Sequence, residues 1–201
     1  MGSLPAQRWK WLKDAAHALA EQGWYCGQQV IDAEIIDQIN SWIDQRQGDF
    51  HQAGIGRGGR QQTNIEIRGD KILWLEGEES NSGPPFVSEL VDHIRVTLNR
   101  ELFAAVSEFE GHFAVYPPGG FYHRHIDTFR DDDARSMSLI LYLNPSWSSA
   151  DGGALRLYTT TSSRVDLEPL GGTIVLFRSR DFEHEVLLAH AERRSFTGWF
   201  K

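Results

Sequence analysis

The stretch Tyr116-Pro117-Pro118-Gly119-Gly120-Phe121-Tyr122-His123-Arg124-His125-Ile126-Asp127 decides how this chain is read. Pro-Pro-Gly-Gly is a strong turn sequence, because proline fixes φ and glycine admits backbone conformations that other residues avoid. The runs on either side, 111–116 and 121–126, carry the aromatic and β-branched content of short strands. The same grammar continues towards the C-terminus. Further strand candidates occupy 136–143, 153–158, 164–168, 173–177, 183–188 and 194–200, separated by Asn144-Pro145, Asp151-Gly152-Gly153 and Gly171-Gly172. About eight short strands at this spacing predict a jelly roll or barrel.

Upstream the pattern is helical. Leu12, Ala15, Ala16 and Leu19 share one face of a first helix that Gly23 stops. A second helix begins after Asp32, a candidate N-cap, with Ile35, Ile36, Ile39, Trp42 and Ile43 as its apolar stripe. A third covers about 85–101, with Leu90, Val91, Ile94 and Leu98 on one face. The predicted class is therefore α+β: one domain over residues 1–201, with helical support over about 1–101 and a jelly-roll (double-stranded β-helix) core over about 102–201. A chain of 201 residues suits one compact domain. Residues 49–63 are polar and Gly/Arg-rich, and read as a loop that could cover a site. Gly54-x-Gly56-x-x-Gly59 within it is not a dinucleotide fingerprint, because it does not join a strand to a helix.

Composition narrows the function classes. A net charge of −8 and a pI of about 5.4 argue against general attraction to nucleic acid or anionic lipid. No apolar run approaches the roughly 20 residues that span a bilayer, and the N-terminus lacks a signal-peptide apolar segment. The expectation is a soluble cytoplasmic protein, monomeric, without nucleic-acid or membrane partners. The one cysteine, Cys26, reads as a small buried hydrophobe.

The chemistry-bearing residues lie in and after the opening stretch. Residues i and i+2 of a strand point to the same side, so His125 and Asp127 can present an imidazole and a carboxylate to one point. His184, 57 residues after Asp127, is the best third ligand. Two histidines and one carboxylate leave open positions on a metal, which is the facial triad of non-haem iron(II) oxygenases. Nine residues on, Arg193-Arg194-Ser195-Phe196-Thr197-Gly198-Trp199 alternates, placing Arg193, Ser195, Thr197 and Trp199 on one face. A buried arginine needs an anion, and its planar fork suits a carboxylate. A dicarboxylate that reaches from the metal to Arg193 explains the arrangement.

Ordered matches through roughly 65–200 make a resemblance specific. They are Ile67-Arg-Gly-Asp-Lys-Ile72 with Trp74 and Glu76-Gly77, Tyr116-Pro117, Tyr122-x-x-His125-x-Asp127, Tyr142-Leu-Asn144, Gly152-Gly153-x-Leu155-Arg156, His184-Glu-Val186 and Arg193 through Trp199. The chain resembles the prolyl 4-hydroxylase branch of the 2-oxoglutarate/Fe(II) oxygenases, most closely the hydroxylases that act on hypoxia-inducible factor. The resemblance implies Fe(II), 2-oxoglutarate and O2, with ascorbate as reductant. It implies hydroxylation of a proline in a protein or peptide substrate, with elongation factor Tu as one target for a compact bacterial-type member, and succinate and CO2 as co-products. It implies that Arg193 and Tyr142 bind the distal carboxylate of 2-oxoglutarate, with Thr197 and Tyr116 lining the same pocket. Arg135, Trp199 and Tyr122 then lie near substrate, and Arg68 and Asp70 in a lid-side segment that engages it.

Other residues carry weaker signals. His123 shares a face with His125 and reads as exposed or adjacent to the site. His51, His93, His112 and His190 read as solvated or locally hydrogen-bonded. Asp131-Asp132-Asp133 reads as a solvated turn, and Arg57, Arg60 and Arg68 as either ordinary surface charge or a peptide-docking edge. Two rival functions stay open: the same chemistry on a free amino acid or other small molecule, and a non-catalytic, cupin-like metal-binding sensor.

Overall fold

The computed structural model describes residues 5–54, 67–75, 83–128, 135–160 and 162–201. The helices are α1 (Pro5–Arg8), α2 (Trp11–Glu21), α3 (Ala33–Asp44) and α4 (Pro85–Leu102). The N-terminal strands are β1 (Trp24–Gly27), β2 (His51–Gln52) and β3 (Lys71–Trp74). Eight more follow: β4 (Phe109–Tyr116), β5 (Tyr122–His125), β6 (Met137–Tyr142), β7 (Leu155–Tyr158), β8 (Arg164–Leu167), β9 (Ile174–Arg178), β10 (His184–Val186) and β11 (Arg193–Phe200).

The strands form two antiparallel sheets. The larger runs β1-β9-β6-β11-β4-β3-β2 and the smaller β5-β10-β7-β8. They face one another as a jelly roll, and the helices cover the outer face of the larger sheet. Trp11, Leu19, Ile36, Ile39, Leu90, Ile94 and Leu98 pack there against Phe113, Leu139, Leu141, Leu176, Phe196 and Phe200. The opposite face of the same strands supplies Ala114, Tyr116, Ile140, Tyr142 and Val175, which meet Leu155, Leu157 and Val186 of the smaller sheet. Strands buried on both faces read as continuous apolar runs. This explains Met137–Tyr142, in which every residue is buried.

The local causes are mostly those read in the sequence. Leu12, Ala15, Ala16 and Leu19 are all buried along α2. Gly23 then takes φ +82°, and a Cβ there would come within 2.9 Å of the Phe182 ring. Pro85 opens α4 at a position where its missing N–H is harmless. Asp32 occupies the N-cap of α3 with extended backbone, yet its side chain makes no capping hydrogen bond. Its carboxylate lies 4.0 Å from Arg8 instead. Two strands escape the sequence reading. Strand β1 pairs with β9 in the register Cys26↔Val175, and β2 lies inside the stretch read as a loop. Four and two residues are too few to show a period. Cys26 is half-buried and packs against the inter-sheet core.

Candidate metal and cosubstrate site

His125 ends β5 and His184 opens β10. The two are direct cross-strand partners, with ring centroids 4.2 Å apart. Each ring places Nδ1 against the carbonyl two residues earlier: His125 on His123 at 2.7 Å, His184 on Phe182 at 3.2 Å. A ring that donates from Nδ1 leaves Nε2 as a lone-pair donor, the usual arrangement of a metal-binding histidine. The Asp127 carboxylate completes the set, with Oδ1 3.7 Å from His125 Nε2 and Oδ2 3.6 Å from His184 Nε2. All three ligand atoms lie within 4.8 Å of one another. That spacing is too long for hydrogen bonds and fits an ion in their midst.

Strand alternation is not what brings Asp127 here. Strand β5 stops at His125, and Asp127 lies in a bend beyond it. Two groups hold the bend. Ser138 Oγ on β6, itself fully buried, donates to Asp127 Oδ2 at 2.6 Å, and Arg135 Nη1 donates to the Asp127 carbonyl at 3.1 Å. Burial pushes the Asp127 carboxyl up, but His184, His125 and the Ser138 hydroxyl outweigh it, so it sits below the usual carboxylate range. Burial and the neighbouring His184 push His125 down to about 3. A charged carboxylate with neutral imidazole is the state a divalent metal requires.

The other end of the cavity is built for an anion. Arg193 on β11 lies directly opposite Tyr116 on β4. Its guanidinium is centred 4.9 Å from the Tyr116 ring and 5.1 Å from the Tyr142 ring. Arg193 Nε donates to the Gly153 carbonyl at 2.9 Å, and Nη1 approaches Ser195 Oγ at 3.5 Å. Gly153 has φ +64°, and a Cβ there would lie 3.1 Å from Arg193 Cδ. The arginine is only 2% exposed, and among the described residues no carboxylate pairs with it. Tyr142 Oη is likewise buried with no hydrogen-bond partner among them. Burial pushes the Tyr142 phenol up to about 12 and Tyr116 higher still, so both keep their protons. A buried cation without an anion and a phenol without an acceptor fit one carboxylate group between them. The triad, Arg193 and Tyr116 line one cavity of about 230 Å³, together with Thr197, Trp199, Ile140, Leu155 and Val186, whereas Tyr142 is not among its lining residues.

Elsewhere on the cavity wall, Arg135 lies 3.7 Å over the Trp199 ring and pairs with Glu110 at 2.7 Å. Tyr122 and Arg68 line the same cavity. Asp70 is not among the residues that line this cavity. It is fully buried behind Arg68, which it holds through two hydrogen bonds of 2.7 and 2.6 Å. His112 also departs from its sequence reading. It is buried on the cavity wall, between Trp74 at 4.7 Å and Trp199 at 5.5 Å, with Nδ1 unpartnered among the described residues. His123 is exposed, its ring tilted against Phe121 with centroids 4.8 Å apart. Ser138 went unread, although a lone hydroxyl in an apolar run was its signal. Asp131–Asp133, Arg57, Arg60 and Glu76-Gly77 lie outside the described residues.

The profile of the 2OG-Fe(II) oxygenase superfamily matches residues 111–201. A crystal structure of a Pseudomonas putida prolyl-4-hydroxylase is 36% identical, covers 94% of this chain and 98% of that one, and superposes with a TM-score of 0.81. This chain belongs to the prolyl hydroxylase family of 2-oxoglutarate/Fe(II) oxygenases. A prolyl hydroxylase from Trichoplax adhaerens, solved with a hypoxia-inducible factor peptide fragment, gives a TM-score of 0.83 at 28% identity, covering 97% of this chain and 90% of that one. Rat Egl nine homolog 1 is 31% identical over 147 residues, which are 69% of this chain and 43% of the rat protein. The chain thus spans less than half the length of that curated relative. The family implies Fe(II), 2-oxoglutarate and O2, and the donor set described above fits them. No helix among the described residues is long and apolar enough to cross a membrane.

Proposed function

We propose that this chain hydroxylates a prolyl residue in a protein substrate, using Fe(II) and 2-oxoglutarate. One observation carries the reading: a two-histidine, one-carboxylate cluster shares a cavity with a buried Arg193 that pairs with no carboxylate among the described residues. A structural metal site has no use for the second feature. His125, Asp127 and His184 would hold the iron, and Arg193 with Tyr142 would bind the distal carboxylate of 2-oxoglutarate. Bound there, iron, 2-oxoglutarate and O2 supply the oxidising chemistry that hydroxylates a C–H bond, with succinate and CO2 as co-products. The chain's own residues do the rest. Arg193 and Tyr142 fix the cosubstrate's far end, so its near end is presented to the triad. Thr197, Ile140, Leu155 and Val186 narrow the cavity and exclude water. Trp199, Arg135, Tyr122 and Arg68, which line the same cavity, would receive the polypeptide.

Support for a prolyl target comes from family membership, and from the Arg68-to-Trp74 segment and Tyr142-Leu143-Asn144, which match this branch. Elongation factor Tu is the first candidate, on the resemblance to compact bacterial-type members. The protein would act as a cytoplasmic monomer, with ascorbate keeping the iron reduced. The test is incubation with Fe(II), ascorbate, 2-oxoglutarate and either elongation factor Tu or a library of proline-containing peptides, followed by mass spectrometry and succinate assay. The expected result is a +16 shift on proline matched by succinate. Turnover stimulated only by a free amino acid would replace the substrate, and metal binding without any succinate would replace the activity.

A further inference from the structure

His125 is the least enclosed of the three triad residues. Its side chain is 20% exposed, against 6% for His184 and 7% for Asp127. The core holds His184, with Phe177 edge-on at 4.8 Å, and Ser138 holds Asp127. Among the described residues His125 has one hydrogen bond, from Nδ1 to the His123 carbonyl. A single bond at one edge of an imidazole leaves the ring free to tilt about it.

The tilt is blocked by stacking. The Tyr122 ring lies 3.7 Å from the His125 ring, centroid to centroid, with 17° between the planes. The Arg68 guanidinium sits 4.5 Å from the centre of the same tyrosine ring. Arg68 is in turn held bidentately by Asp70, which is wholly buried. The backbone of this segment is pinned on both sides. His123 N donates to the Ile67 carbonyl and Gly69 N to the Phe121 carbonyl, each at 3.0 Å. Ala53 N and the Gln52 side-chain amide both donate to the Asp70 carbonyl at 3.0 Å. A buried ion pair is weak evidence of stability, because desolvation offsets its attraction. A role in fixing a neighbour accounts for it better.

We propose that Arg68 and Tyr122 are positioning residues for the metal ligand His125, with Asp70 holding Arg68, Arg68 holding the Tyr122 ring and Tyr122 setting the plane of the imidazole. This rests on the reading of His125 as a ligand. The stack keeps the Nε2 lone pair aimed at the point shared with Asp127 and His184, so the ion need not order the ring when it binds. Outer partners of this kind tune affinity by about 10- to 100-fold. Arg68 and Asp70 thereby act through the metal site, whatever the polypeptide substrate.

The experiment is a titration of the metal-free protein with Mn(II), without 2-oxoglutarate, following the free ion by electron paramagnetic resonance. Tyr122→Leu is expected to weaken Mn(II) binding about tenfold, and Tyr122→Phe, which keeps the ring, to restore it to within about twofold. The double variant Arg68→Met/Asp70→Asn, which leaves no buried charge unpaired, is expected to weaken binding several-fold. Melting of each metal-free variant separates loss of fold from loss of affinity. Wild-type affinity in Tyr122→Leu, or equal weakening in Tyr122→Phe and Tyr122→Leu, overturns the proposal. No Mn(II) binding by the wild-type protein overturns the ligand reading itself, and this inference with it.

Discussion

His125 and His184 face each other directly across the β5–β10 ladder, and that register alone brings two imidazoles to 4.2 Å. The third ligand has no such lattice to place it. Asp127 depends on Ser138, whose hydroxyl donates to Oδ2 at 2.6 Å. Ser138→Ala is therefore expected to weaken metal binding about tenfold. Isothermal titration with Mn(II) reads the change, and unaltered affinity would show that the bend holds the carboxylate unaided.

Arg193 provides a separate test of the cosubstrate end. Its fork is already oriented by the Gly153 carbonyl and by cation–π contact with the Tyr116 and Tyr142 rings. Lysine would keep the charge but lose the planar, bidentate geometry. Hydrogen bonds to charged groups contribute about 1.5–3 kcal/mol, so Arg193→Lys is expected to raise the KM for 2-oxoglutarate about 10- to 100-fold. Metal affinity measured without 2-oxoglutarate should stay unchanged. A parallel loss of metal binding would mean that the two ends of the cavity are not separable.

The two ends differed in how legible they were in the sequence. Arg193, Ser195, Thr197 and Trp199 share a face because β11 is a regular eight-residue strand, and alternation found them. The same logic placed Asp127 beside His125 for the wrong reason, since the strand ends between them. Convergence there depends on Ser138 from β6, a contact between segments that no local period encodes. Asp70 and His112 were misplaced for a related cause. Burial of a polar side chain is decided by what packs over it: Arg68 in one case, Trp74 and Trp199 in the other.

His112 gives the fold a specific acid sensitivity. Burial, with Arg68 and Arg135 nearby, pushes its pKa from 6.5 down to about 3. Between those values the unfolded chain binds a proton that the folded chain refuses, so stability falls as pH drops through that window. His112→Leu also removes Nδ1, which has no partner among the described residues. Chemical denaturation of the metal-free protein is expected to show a shallower loss of stability from pH 6.5 to 3 in the variant. It should also show no loss at pH 7, where the leucine leaves no buried polar atom unpaired. A steeper loss in His112→Leu, or a clear drop at pH 7, would mean that His112 has a partner in the folded protein.

Metal binding should itself stabilise the fold, because the three ligands converge only in the folded chain. An ion that binds only the native state at 100 times its Kd adds about 2.7 kcal/mol. In a protein of 150–250 residues, 1 kcal/mol moves the Tm by about 2–4 °C, so saturating Mn(II) is expected to raise the Tm by about 5–11 °C and excess chelator to reverse it. Asp127→Ala removes the one anionic ligand and should abolish the shift. Arg193→Lys, whose altered group lies at the far end of the cavity, should keep it. A shift that survives in Asp127→Ala would place the stabilising ion somewhere other than between His125 and His184.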